Sequence, residues 1–445
     1  MTQAVSGITV SLGAVRQVAS RSHAVPMLQL FALSLMVIPS DTVIRAIGGE
    51  GYPAGLLAMF AFAAFLAATL LGLHDPFRHR HPVRAAICLV WLSALASYVV
   101  MDRGTLTVAE VTGSDRLMMR LAGTTGVALV AAECLTSLHD LRRVLRALTW
   151  GGAFCGGVAA LQFWFGLDIT TYLRLIPGFT QNFDNPGIVA RAALNRSAGT
   201  SITPIELGVV AGMLLPLAIH LAIYDTDRPA WRRWTPVTLI GIGIATSVSR
   251  SAVISVVLAI GLFVVLMPAR QRVMAFCAMP LALVGAFMSA PGLIGTLAAF
   301  FRVGSSDDSV QARLTDYPLA ERLVQQAPWF GRGGGTWMPE NLLDIFDNQY
   351  LKTAVELGLV GVVALVAYLG VPLIAALVAR RRSTDPELRL LCAALAGATL
   401  AATACSATFD SLAFPMFAYV YALVIGMTGA CWQLARRRGA PSVGG

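Results

Sequence analysis

Charge is scarce in this chain. Only 13% of its 445 residues are Asp, Glu, Lys or Arg, against roughly a quarter in soluble domains. Lysine occurs once, at Lys352. A soluble protein of this length is thereby excluded. Histidine is sparse too, and His23, His74, His79, His81, His139 and His220 all fall on segments read below as cytoplasmic or as the inner half of a span. No CxxC pair occurs among cysteines 88, 134, 155, 277, 392, 405 and 431, each in or beside an apolar stretch; they read as small core residues. The period-two alternation of an outer-membrane barrel is missing as well. The first 25 residues are too polar for a signal-peptide core, and no small-residue cleavage site follows the first apolar run. The expectation is an uncleaved, cytoplasmic N-terminus.

Apolar sequence is abundant: 56% of residues are hydrophobic and the mean hydropathy is +0.70. Runs of about 20 apolar residues, the length that crosses a hydrocarbon core, recur throughout. They predict an all-α polytopic membrane protein of about twelve transmembrane helices. The spans fall near 26–40, 52–73, 83–101, 117–134, 144–166, 202–224, 235–249, 250–268, 273–290, 350–379, 388–407 and 412–434. The +9 formal charge sits in alternate breaks: HDPFRHRHPVR (74–84), LRRVLR (141–146), DRPAWRR (227–233), ARQR (269–272), ARRRSTDPELR (379–389) and ARRRG (435–439). That alternation is the positive-inside pattern. It puts both termini in the cytoplasm and makes basic charge a topological signal rather than a nucleic-acid surface. The whole of 1–445 reads as one integral membrane domain.

Two extracytoplasmic loops are longer than a turn requires, 167–201 and 291–349, and loops of this size carry function or disorder. LAERLVQQAPWF within the second has helical spacing, so both read as ordered caps with short interfacial helices. Arginines on this side include Arg191 and Arg196 in the first loop, and Arg302, Arg313, Arg322 and Arg332 in the second. Arg250 stands in TSVSRSA, where one span hands over to the next. Facing lipid there it would cost about 2–3 kcal/mol. It either meets a polar cavity or anion, or snorkels to headgroups. Guanidinium groups suit phosphate through bidentate, charge-assisted hydrogen bonds, although Arg191 and Arg196 diverge if their segment is helical and converge only if it is looped.

No histidine is available outside to act as a base. The outer carboxylates near a membrane entry are Asp344, Asp347, Glu206 and Glu356, while Asp307–Asp308 reads as a solvated loop rather than a metal site. Asp347 lies closest to the boundary. Lys352 and Glu356, four residues apart, can pair on one helical face. Gly358 and Gly361 suit close helix packing. GRGGGTW (331–337) lacks the Lys-Ser/Thr pair of a phosphate loop and reads as a tight turn.

Four stretches together carry a family likeness. RAALNRSAGTSITPIELG (191–208), TSVSRSAVIS (246–255), QARLTDYPLAERLVQQAPWFGRGGGTW (311–337) and DNQYLKTAVELGLVG (347–361) resemble the O-antigen ligase and O-antigen polymerase (WaaL/Wzy-like) superfamily of bacterial membrane glycosyltransferases. The likeness spans about 185–365. It implies Arg191, Arg196 and Arg250 as ligands for the diphosphate of a polyprenyl-linked oligosaccharide donor, and a glycan or lipid-glycan acceptor. It further implies the bacterial cytoplasmic membrane as location, with membrane lipids but no nucleic acid as partners, and neither cofactor nor metal. The family's catalytic histidine falls at Asp347, which when ionised still accepts a proton. That departure favours a polymerase over a ligase. Arg313, Asn348, Lys352, Glu356 and Glu206 are supporting polar groups around the site. Two other readings stay open: a transferase using a polyprenyl-monophosphate sugar, with the carboxylate of Asp41 or Glu50 as the base, and a twelve-span solute transporter.

Overall fold

A computed structural model of the chain describes residues 23–47, 51–76, 80–102, 104–182, 188–191, 194–274, 276–277, 308–339 and 345–438. Among these, eight helices are long and apolar enough to cross a membrane: α2 (Pro53–Leu70), α3 (Pro82–Val100), α4 (Val108–Cys134), α5 (Leu138–Phe165), α7 (Pro204–Tyr224), α11 (Gln349–Arg382), α12 (Pro386–Cys405) and α13 (Pro415–Arg438). Shorter apolar helices α1 (His23–Val37) and α9 (Arg250–Leu266) accompany them, as does α8 (Ala230–Thr246). The expected span at 273–290 lies almost wholly outside the described residues. The chain is thus a polytopic, mostly helical membrane protein.

Sequence chemistry sets the helix starts. Proline occupies the first turn of α2, α3, α7 and α12, where its missing N–H costs nothing. Thr107, Ser137, Thr203 and Asp385 accept backbone N–H bonds as N-caps of α4, α5, α7 and α12, satisfying donors that would otherwise be orphaned. Helix α13 is buried along nearly its whole length and α2 scarcely at all, so α13 forms the axis and α2 the lipid-facing rim. Helices α4, α7, α11 and α12 pack around α13.

The connections fall on two faces. One carries the arginine-rich breaks, and there buried carboxylates take up part of the charge. Glu133 receives His74 at 2.5 Å, His81 at 3.4 Å and Arg84. Arg142 pairs with Glu387 at 2.5 Å and Arg146 with Asp225 at 2.5 Å. Each pair links loops or helices far apart in sequence.

Among the described residues, the opposite face is a cap assembled from 38–47, 166–182, 188–191, 194–203, 247–249, 308–339, 345–348 and 406–414. Here the structure departs from an all-helical expectation. Strand β1 (Thr42–Ile44) pairs antiparallel with β2 (Phe179–Gln181), beyond the short helix α6 (Thr170–Arg174). Strand β3 (Ile188–Arg191) pairs with β4 (Leu194–Ser197). Consecutive β-branched residues in TVI and IVAR suit short strands, a signal too brief to read beside 20-residue apolar runs. Gln162, at the end of α5, anchors the loop: its amide bonds Asp168 at 2.9 Å and both backbone groups of Gly199 at 2.8 and 3.1 Å. The second loop opens with α10 (Asp308–Gln326). That helix stops short of the expected Ala327–Phe330, because those residues belong to a turn inserted into α11.

Helix α11 is broken. Gly358 has φ 67° and ψ −167°, a conformation reserved for glycine, and it splits off residues 349–357. The remaining 24 residues, at 1.5 Å each, span about 36 Å, enough to cross the bilayer alone. A break frees backbone groups that must find partners, and the turn 328–333 supplies them. Leu359 and Val360 donate to the carbonyls of Pro328 (2.8 Å) and Trp329 (3.2 Å), while Arg332 and Gly333 donate to those of Val355 (3.1 Å) and Glu356 (3.0 Å). Gly358 therefore does not serve ordinary helix packing. A Cβ there would stand 2.4 Å from the Trp329 carbonyl carbon and oxygen. Gly358→Ala should destabilise the protein by about 1–3 kcal/mol from backbone strain alone, with the clash adding to it. A lowered thermal midpoint of the detergent-purified variant checks this.

Candidate functional site

The handover from α8 to α9 is strained. Val248 has φ 44°, costly for a β-branched residue, and such strain persists only where the surroundings impose it. Ser247, Val248, Ser249 and Ser251 are buried, while Arg250 at the first position of α9 is half-buried. Helix α7 presses on this turn at Gly208, where a Cβ would approach the Ser247 hydroxyl to 2.7 Å and the Ala252 methyl to 2.4 Å. Two of the stretches that carried the likeness, 191–208 and 246–255, are thus packed against each other.

Arg196 reaches the same turn. Its Nε donates to the Ser247 carbonyl at 3.3 Å, three residues before Arg250. The antiparallel register sets Val189 against Arg196 and Arg191 against Leu194, which resolves the helical alternative for this segment. The two arginine positions are two rungs apart on opposite strands, about 7 Å along the ladder. The side chains of Arg191 and Arg313 lie outside what the structure describes, as do Glu50, Arg302, Asp307 and Asp344.

Asp347 is exposed at the head of α11. Its neighbours are both fixed. Phe346 is buried and stacks on Trp337, with ring centroids 5.3 Å apart and planes at 18°. Asn348 is the N-cap, its Oδ1 accepting from Tyr350 at 2.9 Å and Leu351 at 3.3 Å. The C-terminal end of α12 links this head to the arginine turn. The Cys405 thiol donates to the Ser251 carbonyl at 3.5 Å, and the next residue, Ser406, accepts from the Gln349 N–H at 2.9 Å. Gln349 also accepts the Leu412 N–H at 2.8 Å.

The remaining expected groups make contacts within the protein. Lys352 and Glu356 lie close enough to attract one another, but their bonds go elsewhere, which corrects the expected pair. Lys352 Nζ meets Asp410 at 3.0 Å, and buried Glu356 accepts the Trp337 N–H at 3.3 Å. Glu206, expected as an outer carboxylate near a membrane entry, is fully buried. It accepts the N–H groups of Ile202 at 2.9 Å and Phe417 at 3.1 Å, so one carboxylate serves the starts of α7 and α13. Arg332 pairs with Glu110 at 2.6 Å and lies 5.3 Å above the Trp337 ring. Asp41 is buried beside Gln181 at 3.1 Å and secures the β1–β2 pair. The Tyr52 hydroxyl donates to the Leu35 carbonyl at 3.3 Å.

Sequence reasoning missed Arg120, whose guanidinium donates to the carbonyls of Leu412 at 3.0 Å and Ala413 at 2.8 Å. Its signal was an arginine just inside an expected span, which demands a buried polar partner. Asp410 and Glu110 were missed for want of any spacing that ties them to Lys352 and Arg332.

A bundle of apolar helices, with one helix broken outside its spanning part and a cap that brings arginines to a strained turn, defines a polytopic membrane protein with a polar site at one face. Residues 235–366, from α8 into α11, match the family model described as O-Antigen ligase. This region is similar to the O-antigen ligase and polymerase family, whose members are enzymes. No curated protein matches the chain.

Proposed function

We propose that this protein is an inverting, metal-independent glycosyltransferase of the bacterial cytoplasmic membrane, using a polyprenyl-diphosphate-linked oligosaccharide as donor. The observation that carries this reading is the convergence of Arg196 and Arg250 on one strained turn, joined through Cys405 and Ser406 to the head of α11 that bears Asp347. In this reading the cap faces outward, the chain crosses the membrane twelve times as one domain, and both termini are cytoplasmic.

Arg250, Arg196 and Arg191 ligate the diphosphate and neutralise the charge that develops as it leaves. The acceptor hydroxyl gives its proton to the Asp347 carboxylate. Its oxygen forms the new bond to the anomeric carbon while the bond from that carbon to the diphosphate oxygen breaks. The products are an extended glycan with inverted anomeric configuration and free polyprenyl diphosphate. An acid at the family's histidine position supports polymerisation over ligation.

Lipid and polysaccharide profiling of a deletion strain tests this. Accumulation of single lipid-linked repeats is the expected outcome. Accumulation of full-length lipid-linked polymer beside unmodified acceptor would make the protein a ligase instead. An unchanged profile would remove the reading altogether.

A further inference from the structure

The turn that repairs α11 is held by more than it needs. Four backbone hydrogen bonds already fasten residues 328–333 across the break at Gly358. Glu356 adds a buried carboxylate, a group costly to place away from water. Its Oε1 takes the Trp337 N–H, and it also lies against the Gly335 amide. These contacts act beyond the repaired break, on the strand of turn that carries Trp337. The Trp337 ring is fixed from two sides, by the Arg332 guanidinium at 5.3 Å and by Phe346 at 5.3 Å. Phe346 is in turn covalently adjacent to Asp347. A continuous mechanical link therefore runs from Glu356 through the Trp337 backbone and ring to Phe346 and the exposed acid.

We propose that Glu356 is a positioning residue for glycan transfer: by holding the Trp337–Phe346 stack it fixes where Asp347 stands relative to the arginine turn. This rests on the reading of Asp347 as general base. The carboxylate itself touches no substrate. Its value is geometric, because an error of about 1 Å in a reacting group costs on the order of 10²-fold in rate.

Two readouts separate this role from mere support of the fold, each on full-length protein at matched levels of monodisperse material. The first is long-chain polysaccharide from a complemented deletion strain. Glu356→Ala should lower it about tenfold or more, and Glu356→Gln, whose amide oxygen still accepts the Trp337 N–H, should restore most of it. The combined Glu356→Ala/Phe346→Ala variant should be no worse than Phe346→Ala alone, since both break one link. The second readout is the reaction of a membrane-impermeant maleimide with Asp347→Cys, measured against the labelling of the native cysteines in the unsubstituted protein. Adding Glu356→Ala should change that rate several-fold, and adding Glu356→Gln should not. If Glu356→Ala fails to fold, Trp337→Leu breaks the same link without altering a buried charge and carries the same expectations. Additive losses, or an unchanged labelling rate at position 347, would overturn the proposal. Normal polysaccharide from Asp347→Asn would instead defeat the base assignment, and the labelling experiment would still report on the link.

Discussion

Asp347→Asn should reduce glycan transfer by about 10²–10⁴-fold, the usual worth of a positioned proton acceptor. The substitution is nearly isosteric and falls on an exposed residue, so stability should be little affected and the loss should be chemical. Asn cannot take up the acceptor's proton, whereas a neutral imidazole can. Asp347→His should therefore retain measurable transfer, since the resemblance puts a histidine at this position. Long-chain polysaccharide in a complemented deletion strain, normalised to protein in the membrane, is the measurement. Full activity in Asp347→Asn would show that the proton goes elsewhere.

Arg250→Ala should be almost as damaging, by about 10²–10³-fold, because removing one preorganised donor to a developing anion costs several kcal/mol. Position 250 opens α9 and alanine is a good helix former, so the helix should survive. Arg250→Lys keeps the charge but loses the planar fork, and should recover only part of the activity. Arg196→Ala should follow the same direction with an added loss of its bond to the Ser247 carbonyl. The discriminating measurement is accumulation of lipid-linked donor in each variant. Arg250→Ala with wild-type polysaccharide and no accumulated donor would remove Arg250 from the site.

Helix existence was legible because each 20-residue apolar run stands on its own composition. Expected spans such as 83–101 and 202–224 agree with Pro82–Val100 and Pro204–Tyr224 within two residues. Elements that depend on distant partners were not legible. Strand β1 exists because Thr42–Ile44 meets Phe179–Gln181 more than 130 residues later, and nothing local announces that. The break at Gly358 is another such case. LGLVG (357–361) runs straight on into the apolar stretch of α11, and the turn that repairs the break comes from a separate glycine-rich stretch whose purpose is visible only when the two are together. The ion pairs failed similarly. Spacing suggested Lys352 with Glu356, yet Asp410, 58 residues away, offers Lys352 the closer oxygen.

Glu206 sets a requirement on how the protein is made. One of its oxygens bonds Ile202 within the same helix start, but the other waits for Phe417, 211 residues downstream. Synthesis proceeds from the N-terminus at about 5–20 residues per second, so roughly 10–40 seconds pass before the second partner emerges. During that interval the carboxylate near the axis has no helix to close against. The centre of the bundle can be sealed only when its last helix arrives, which makes α13 a keystone of biogenesis. A nascent chain stopped before Pro415 would hold every arginine assigned to the site and still have an open axis.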